Sequence, residues 1–72
     1  MVKAVVLVNI APEKTFNSVK KLSEVTESFQ VYGEYDAVFV INTKTTHDIQ
    51  EFVRKIRKMA GIMRTVTVIE MI

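Results

Sequence analysis

Two runs in this chain are apolar on both faces that a β-strand can present. Residues 3–10 read Lys-Ala-Val-Val-Leu-Val-Asn-Ile, and residues 36–43 read Asp-Ala-Val-Phe-Val-Ile-Asn-Thr. Successive side chains of a strand point to opposite faces, so an apolar run without alternation is buried on both sides. Such strands belong in the middle of a sheet, and something must cover each face. The chain has only 72 residues to do it. A domain of this size buries about 60% of its unfolded surface and has a modest core. There is no cysteine, so disulfides and thiolate metal sites are excluded. Oligomerisation is the remaining route to stability, and the 49% hydrophobic content suits it.

The other segments are amphipathic. Pro12 fits the first turn of a helix, where its missing N–H has no partner to lose. Phe16, Val19 and Leu22 then share a face, which predicts a helix over 12–24. Residues 26–32 alternate, with Phe29 and Val31 opposite Ser28, Gln30 and Tyr32, as in a half-exposed edge strand. Gly33 breaks that strand at what reads as a tight turn. Thr45 followed by Asp48 resembles a capping box. It opens a second helix whose inner face is Ile49, Phe52, Val53 and Ile56, continued by Met59. Arg54, Lys55, Arg57 and Lys58 fill its C-terminal turns, where cations favour the helix dipole. Gly61 is the expected C-cap. Residues 62–71 form a last strand in which Thr65 and Thr67 share a face with Met63 and Ile69.

The order β-α-β-β-α-β is the ferredoxin-like split βαβ arrangement, an α+β sandwich. Right-handed crossovers put the first and third strands in the centre, and these are the two runs apolar on both faces. Both helices cover one face of the sheet. The other face, apolar and uncovered within one chain, predicts a sheet-to-sheet dimer, a dimeric α+β barrel. No linker or internal repeat divides residues 1–72, which read as a single domain.

Several function classes are excluded. A net charge of +2 is too small to argue for nucleic acid. No apolar run approaches the roughly 20 residues that span a bilayer, and Met1-Val2-Lys3 leads straight into a strand without a signal-peptide pattern. This reads as cytoplasmic. One histidine rules out a histidine-rich metal site within one subunit. His47 has Asp48 beside it, but helix neighbours point in different directions, and neither a nucleophile nor a proton-transfer partner is evident. No phosphate loop, Ser–His–Asp set or metal spacing is present. No cofactor, metal site or catalytic residue is therefore expected, and the chain reads as non-enzymatic.

The polar hairpin Val31-Tyr32-Gly33-Glu34-Tyr35-Asp36 is the best candidate site. Gly33 supplies a positive φ, which a purely structural hairpin would also need. Asp36 is either a turn cap or the counter-charge for a ligand ammonium, with turn N–H groups available to a ligand carboxylate. Those two ends together suit a free amino acid. Thr65 and Thr67 offer hydroxyls at period two, as any β-forming pair on an edge strand would. The cluster Arg54, Lys55, Arg57, Lys58 and Arg64 has no interleaved aromatic residue and reads as a solvated helix end.

The first strand (Ala4-Val5-Val6-Leu7-Val8-Asn9), the hairpin above and the segment Gly61-Ile62-Met63-Arg64-Thr65-Val66-Thr67 together resemble the effector-sensing (RAM) domain of the Lrp/AsnC regulators. The resemblance runs from end to end. It implies the same sandwich, dimers assembling into octamers, and an amino acid held near the hairpin. It makes Gly33, Tyr35 and Asp36 the leading ligand candidates, with Thr65 and Thr67 behind them. Full-length regulators also carry a helix-turn-helix domain. The present sequence begins at the first sensing-domain strand, so it reads either as a stand-alone sensor, for which direct DNA binding is not expected, or as a fragment. Such a sensor assembles with itself or with full-length relatives and modulates transcription indirectly. Two alternatives stay open: a small dimeric α+β barrel enzyme of oxygenase or isomerase type, and a structural assembly domain with a vestigial pocket.

Overall fold

A computed structural model describes residues 1–11 and 14–70 of the chain. Six elements follow one another: β1 (Val2–Ile10), α1 (Lys14–Lys20), β2 (Val25–Gln30), β3 (Ala37–Thr43), α2 (Thr46–Arg57) and β4 (Ile62–Ile69). They form one four-stranded sheet in the order β2-β3-β1-β4, every pair antiparallel. This is the ferredoxin-like α+β fold, with the two doubly apolar strands in the centre. Among the described residues no helix is long and apolar enough to cross a membrane.

Strand alternation sorts the sheet's two faces. Ala4, Val6 and Val8 of β1 stand opposite Ile41, Phe39 and Ala37 of β3, and all six are buried. They meet Phe16 and Val19 of α1 and Ile49, Phe52 and Ile56 of α2 in a single core. Phe16 and Phe39 pack with ring centroids 5.3 Å apart, within the favourable range for aromatic pairs. The other face carries Val5, Leu7, Val38, Val40, Val66 and Val68, which the same registers bring together. Phe29 lies beside Val38 on this face. Neither helix covers it: Phe29 is 49% and Val68 55% exposed.

The helices follow their end signals with some displacement. Thr45 caps α2 as expected: its hydroxyl accepts from the Asp48 N–H, and the Asp48 side chain accepts from the Thr45 N–H. Helix α2 ends at Lys58 rather than at Gly61. Gly61 instead occupies a left-handed conformation (φ +97°) three residues on, where the chain passes Thr15 and Ala11 too closely to admit a Cβ. Helix α1 stops at Lys20, short of the expected residue 24, because 21–24 form turns closed by the Leu22 N–H on the Val19 carbonyl and the Val25 N–H on the Leu22 carbonyl. Pro12, and the end of the last strand at residue 71, lie outside the described residues.

Candidate functional site

The connection between β2 and β3 is longer than a tight turn. Strand β2 ends at Gln30 and β3 begins at Ala37, so residues 31–36 form a six-residue loop closed by the Val31 N–H on the Asp36 carbonyl at 2.9 Å. Gly33 adopts φ +130°, and a Cβ there would meet nothing within 4 Å. The backbone conformation therefore explains the glycine, and the space around it is open. Tyr32, next to it, is entirely exposed.

Asp36 ties this loop to the end of β1. Pairing of β1 with β3 stops at Val8↔Ala37. The Asp36 N–H extends that ladder by donating to the Val8 carbonyl at 2.9 Å. The Ile10 N–H, past the end of the ladder, donates to Asp36 Oδ2 at 2.9 Å. Asn9 Nδ2 donates to the Glu34 carbonyl at 3.0 Å and lies 3.4 Å from the same Oδ2. A side-chain carboxylate here does what a strand neighbour would have done for the orphaned N–H. Oδ1 takes no hydrogen bond from the described residues.

Tyr35 leans the other way. Its ring lies 5.6 Å from the Arg64 guanidinium carbon, within cation–π range. Arg64 stands opposite Asn9 across the β1–β4 pair. Asn9, Arg64, Tyr35 and Asp36 thus form one continuous cluster at the end of the central strand. Beside it is a concavity of about 420 Å³ lined by Ile10, Phe16, Gln30, Val31, Tyr32, Asp36 and Ala37.

Thr65 and Thr67 are not part of that wall. They stand opposite Val8 and Val6, so they point to the helix-covered side. Thr67 lines a groove against α2, and Thr65 a neighbouring hollow with Arg57, Ile62, Met63 and Arg64. A register shift at Asn9/Ile10 sets Ile62 opposite Ile10. Met63 thereby falls out of phase with Thr65 instead of sharing its face, and is exposed. The structure therefore brings Gly33, Tyr35 and Asp36 into one loop and sets the two threonines along β4. The sequence reading missed Asn9 and Arg64 as members of the cluster. Asn9 was detectable as the one polar interruption late in an apolar strand, whereas Arg64 was indistinguishable from the other cations.

His47 is on the outer side of α2, with Nε2 3.7 Å from Glu51 Oε1 and both side chains exposed. Arg54 pairs with the same Glu51 at 2.8 Å. Lys55 Nζ lies 2.9 Å from Glu24 and, through that hydrogen bond, holds the Glu24 carboxyl below its ordinary range. Among the described residues no cluster of three histidine or carboxylate side chains could hold a metal.

The profile of the Lrp/AsnC ligand binding domain matches residues 3–71. The chain belongs to the Lrp/AsnC ligand-binding domain family. Solved structures agree. FFRP-DM1 is 36% identical, with 99% of this chain and 100% of that one covered at a TM-score of 0.91. Hypothetical protein PHS023 from Pyrococcus horikoshii is 37% identical, with 100% and 92% covered at 0.88. A feast or famine regulatory protein from M. tuberculosis, solved with L-methionine, shares the fold at 20% identity and a TM-score of 0.85; there the match covers 97% of this chain and half of the regulator. No curated protein matches the sequence. Lrp/AsnC domains of this kind are the regulatory ligand-binding parts of transcription factors, and the present chain is related to those regulators.

Proposed function

We propose that this Lrp/AsnC domain is a non-enzymatic, cytoplasmic amino-acid sensor that assembles through its open sheet face and modulates transcription indirectly, in homo-oligomers or with full-length relatives. The observation that carries the reading is the 31–36 loop. It presents Asp36, anchored by one oxygen to the Ile10 N–H, at the wall of a concavity. The second oxygen is available to a ligand ammonium, and the open backbone around Gly33 is available to a ligand carboxylate. Tyr35 and Arg64 border the same loop. Thr65 and Thr67, set apart on β4, line other hollows than the concavity beside Asp36. The methionine in the M. tuberculosis regulator's structure supports an amino acid as the ligand class. The uncovered apolar face supports a sheet-to-sheet dimer, and the family resemblance supports octamers built from such dimers.

One observation favours the alternative of a structural assembly domain. Asp36 already serves the fold by capping the end of β1, so its presence does not require a ligand. Calorimetric titration with each of the twenty amino acids separates the two. Saturable binding of one or a few is expected, and an absence of binding at millimolar concentration would leave only the assembly role. Against the enzymatic alternative, His47 stands exposed on the outer side of α2 with Glu51 3.7 Å away, outside the walls of both concavities, where it is not placed to exchange a proton with a bound substrate.

A further inference from the structure

We propose that the groove between α2 and β4 is a second ligand site, separate from the hairpin, that takes a monocarboxylate with an apolar chain. The groove is about 440 Å³, within the roughly 300–1,000 Å³ typical of small-molecule sites. Its floor is Ile49, Val53 and Ile69, which belong to the core or pack directly against it. Its rim carries Arg54, Arg57 and Lys58. Arg54 is committed to Glu51, whereas Arg57 and Lys58 enter no ion pair among the described residues.

Charge decides the ligand class. Among the described residues no carboxylate lines the groove, so the ammonium of a free amino acid would meet cations there and no counter-charge from the lining. An anion without an amine instead meets two cations that no described residue pairs. The negative end of the α2 dipole amounts to about half a charge, less than either cation supplies. The apolar floor accepts a hydrocarbon chain, while Thr67 and Gln50 add uncharged polar contacts near the head group. The groove shares no wall residue with the concavity beside Asp36, so the two sites select opposite ligand types and can be tested independently.

The test is titration of octanoate, below its micelle threshold and at physiological salt, into the full chain followed by amide NMR. Saturable shifts are expected at Val53, Thr67 and Ile69. Arg57→Glu with Lys58→Glu should weaken binding about ten-fold or more, octylammonium should not compete, and Asp36→Asn should leave octanoate affinity unchanged. Both cations are exposed, and the fold of the variant is read from the same spectra. If the double reversal does not fold, Arg57→Gln with Lys58→Gln gives the same comparison with a smaller loss, about three-fold or more. The proposal is overturned if the shifts centre on Val5, Leu7 and Val38 of the open sheet face. Equal binding of octanol, unchanged affinity in the charge variants, or loss of binding on Asp36→Asn would each overturn it as well. The last result would place octanoate at the hairpin and leave the amino-acid reading standing.

Discussion

Asp36 is asked to do two things, and replacing it by Asn separates them. Its Oδ2 accepts the Ile10 N–H at 2.9 Å and lies 3.4 Å from Asn9 Nδ2. An asparagine carbonyl in the same place keeps the acceptor and removes the charge. A hydrogen bond to a charged group contributes about 1.5–3 kcal/mol against about 0.5–1.5 for a neutral one, so the fold should lose about 1 kcal/mol. The Ile10 N–H lies at an exposed site, where water replaces part of any lost bond, which makes that figure an upper value. For a domain of this size 1 kcal/mol lowers Tm by about 4–8 °C. A ligand ammonium seated here would, by contrast, lose the Asp36 counter-charge, at a cost of about 1.5–3 kcal/mol, a ten- to hundred-fold drop in affinity. Asp36→Ala should lose binding to the same degree and stability more than Asn does. Calorimetry with the bound amino acid and thermal unfolding by circular dichroism read the two effects. Wild-type affinity in Asp36→Asn would remove the carboxylate from the ligand site. Equal Tm losses in Asn and Ala, with binding tracking Tm, would make the residue purely structural.

Val68 lies on the open face and is 55% exposed. Val68→Asp should therefore leave the fold of one chain intact while placing an unpaired carboxylate in a dimer interface at a cost of several kcal/mol; light scattering should show monomers, and a persistent dimer at micromolar concentration would refute the sheet-to-sheet assembly. Gly61→Ala should destabilise by about 1–3 kcal/mol in denaturant titration, because φ is +97° and the added Cβ would press on Thr15 and the Ala11 carbonyl; a neutral result would mean that this turn can shift. The Glu24 carboxyl titrates below its ordinary value of 4.5, so its ion pair with Lys55 contributes stability above that pH and loses it as pH falls through the lowered folded value. Lys55→Gln should flatten this acid limb by no more than about 0.2–1 kcal/mol, as expected for a pair that solvent reaches, and an unchanged pH profile would show that the bridge contributes nothing.

The parts of this fold that were legible in the sequence are those set by local periodicity. Burial on both faces marked β1 and β3 as central, and the sheet order β2-β3-β1-β4 follows from that and from the element order. The Thr45–Asp48 capping box was legible because its partners are three residues apart. What the sequence did not show depends on contacts between distant segments. Asp36 and Ile10 are 26 residues apart, and nothing near Asp36 indicates that the N–H it will accept is one left over where the β1–β3 ladder ends. The six-residue loop reads as a tight turn in the sequence because the alternation of 26–32 runs up to Gly33, whereas Val31 and Tyr32 lie outside β2. The register shift opposite Ile10 displaced Met63 from the face assigned by strict alternation. Arg64 looked like one more solvated cation until pairing with Asn9 set it beside Tyr35.

The placement of the hairpin bears on how ligand binding at Asp36 could reach the open sheet face. The loop is not a free appendage: Asp36 bonds to both Val8 and Ile10, the last residues of a strand that runs through the centre of the sheet. The same strand supplies Val5 and Leu7 to the open face. A ligand ammonium on the other oxygen would draw the carboxylate, and with it the Ile10 N–H bonded to Oδ2, toward itself and so pull on the end of β1; a partner subunit packed on Val5 and Leu7 would resist that movement. If ligand affinity depends on assembly in this way, linkage requires that assembly depend on ligand by the same factor. Couplings between sites typically amount to about 1–3 kcal/mol, enough to shift an oligomer equilibrium several-fold or more. The side-chain part of such a coupling runs through the bond from the Ile10 N–H, so Asp36→Ala should uncouple the two sites: its oligomer mass should be insensitive to the amino acid even at concentrations that saturate it. A ligand-dependent mass that survives in Asp36→Ala would show that the signal travels by another route.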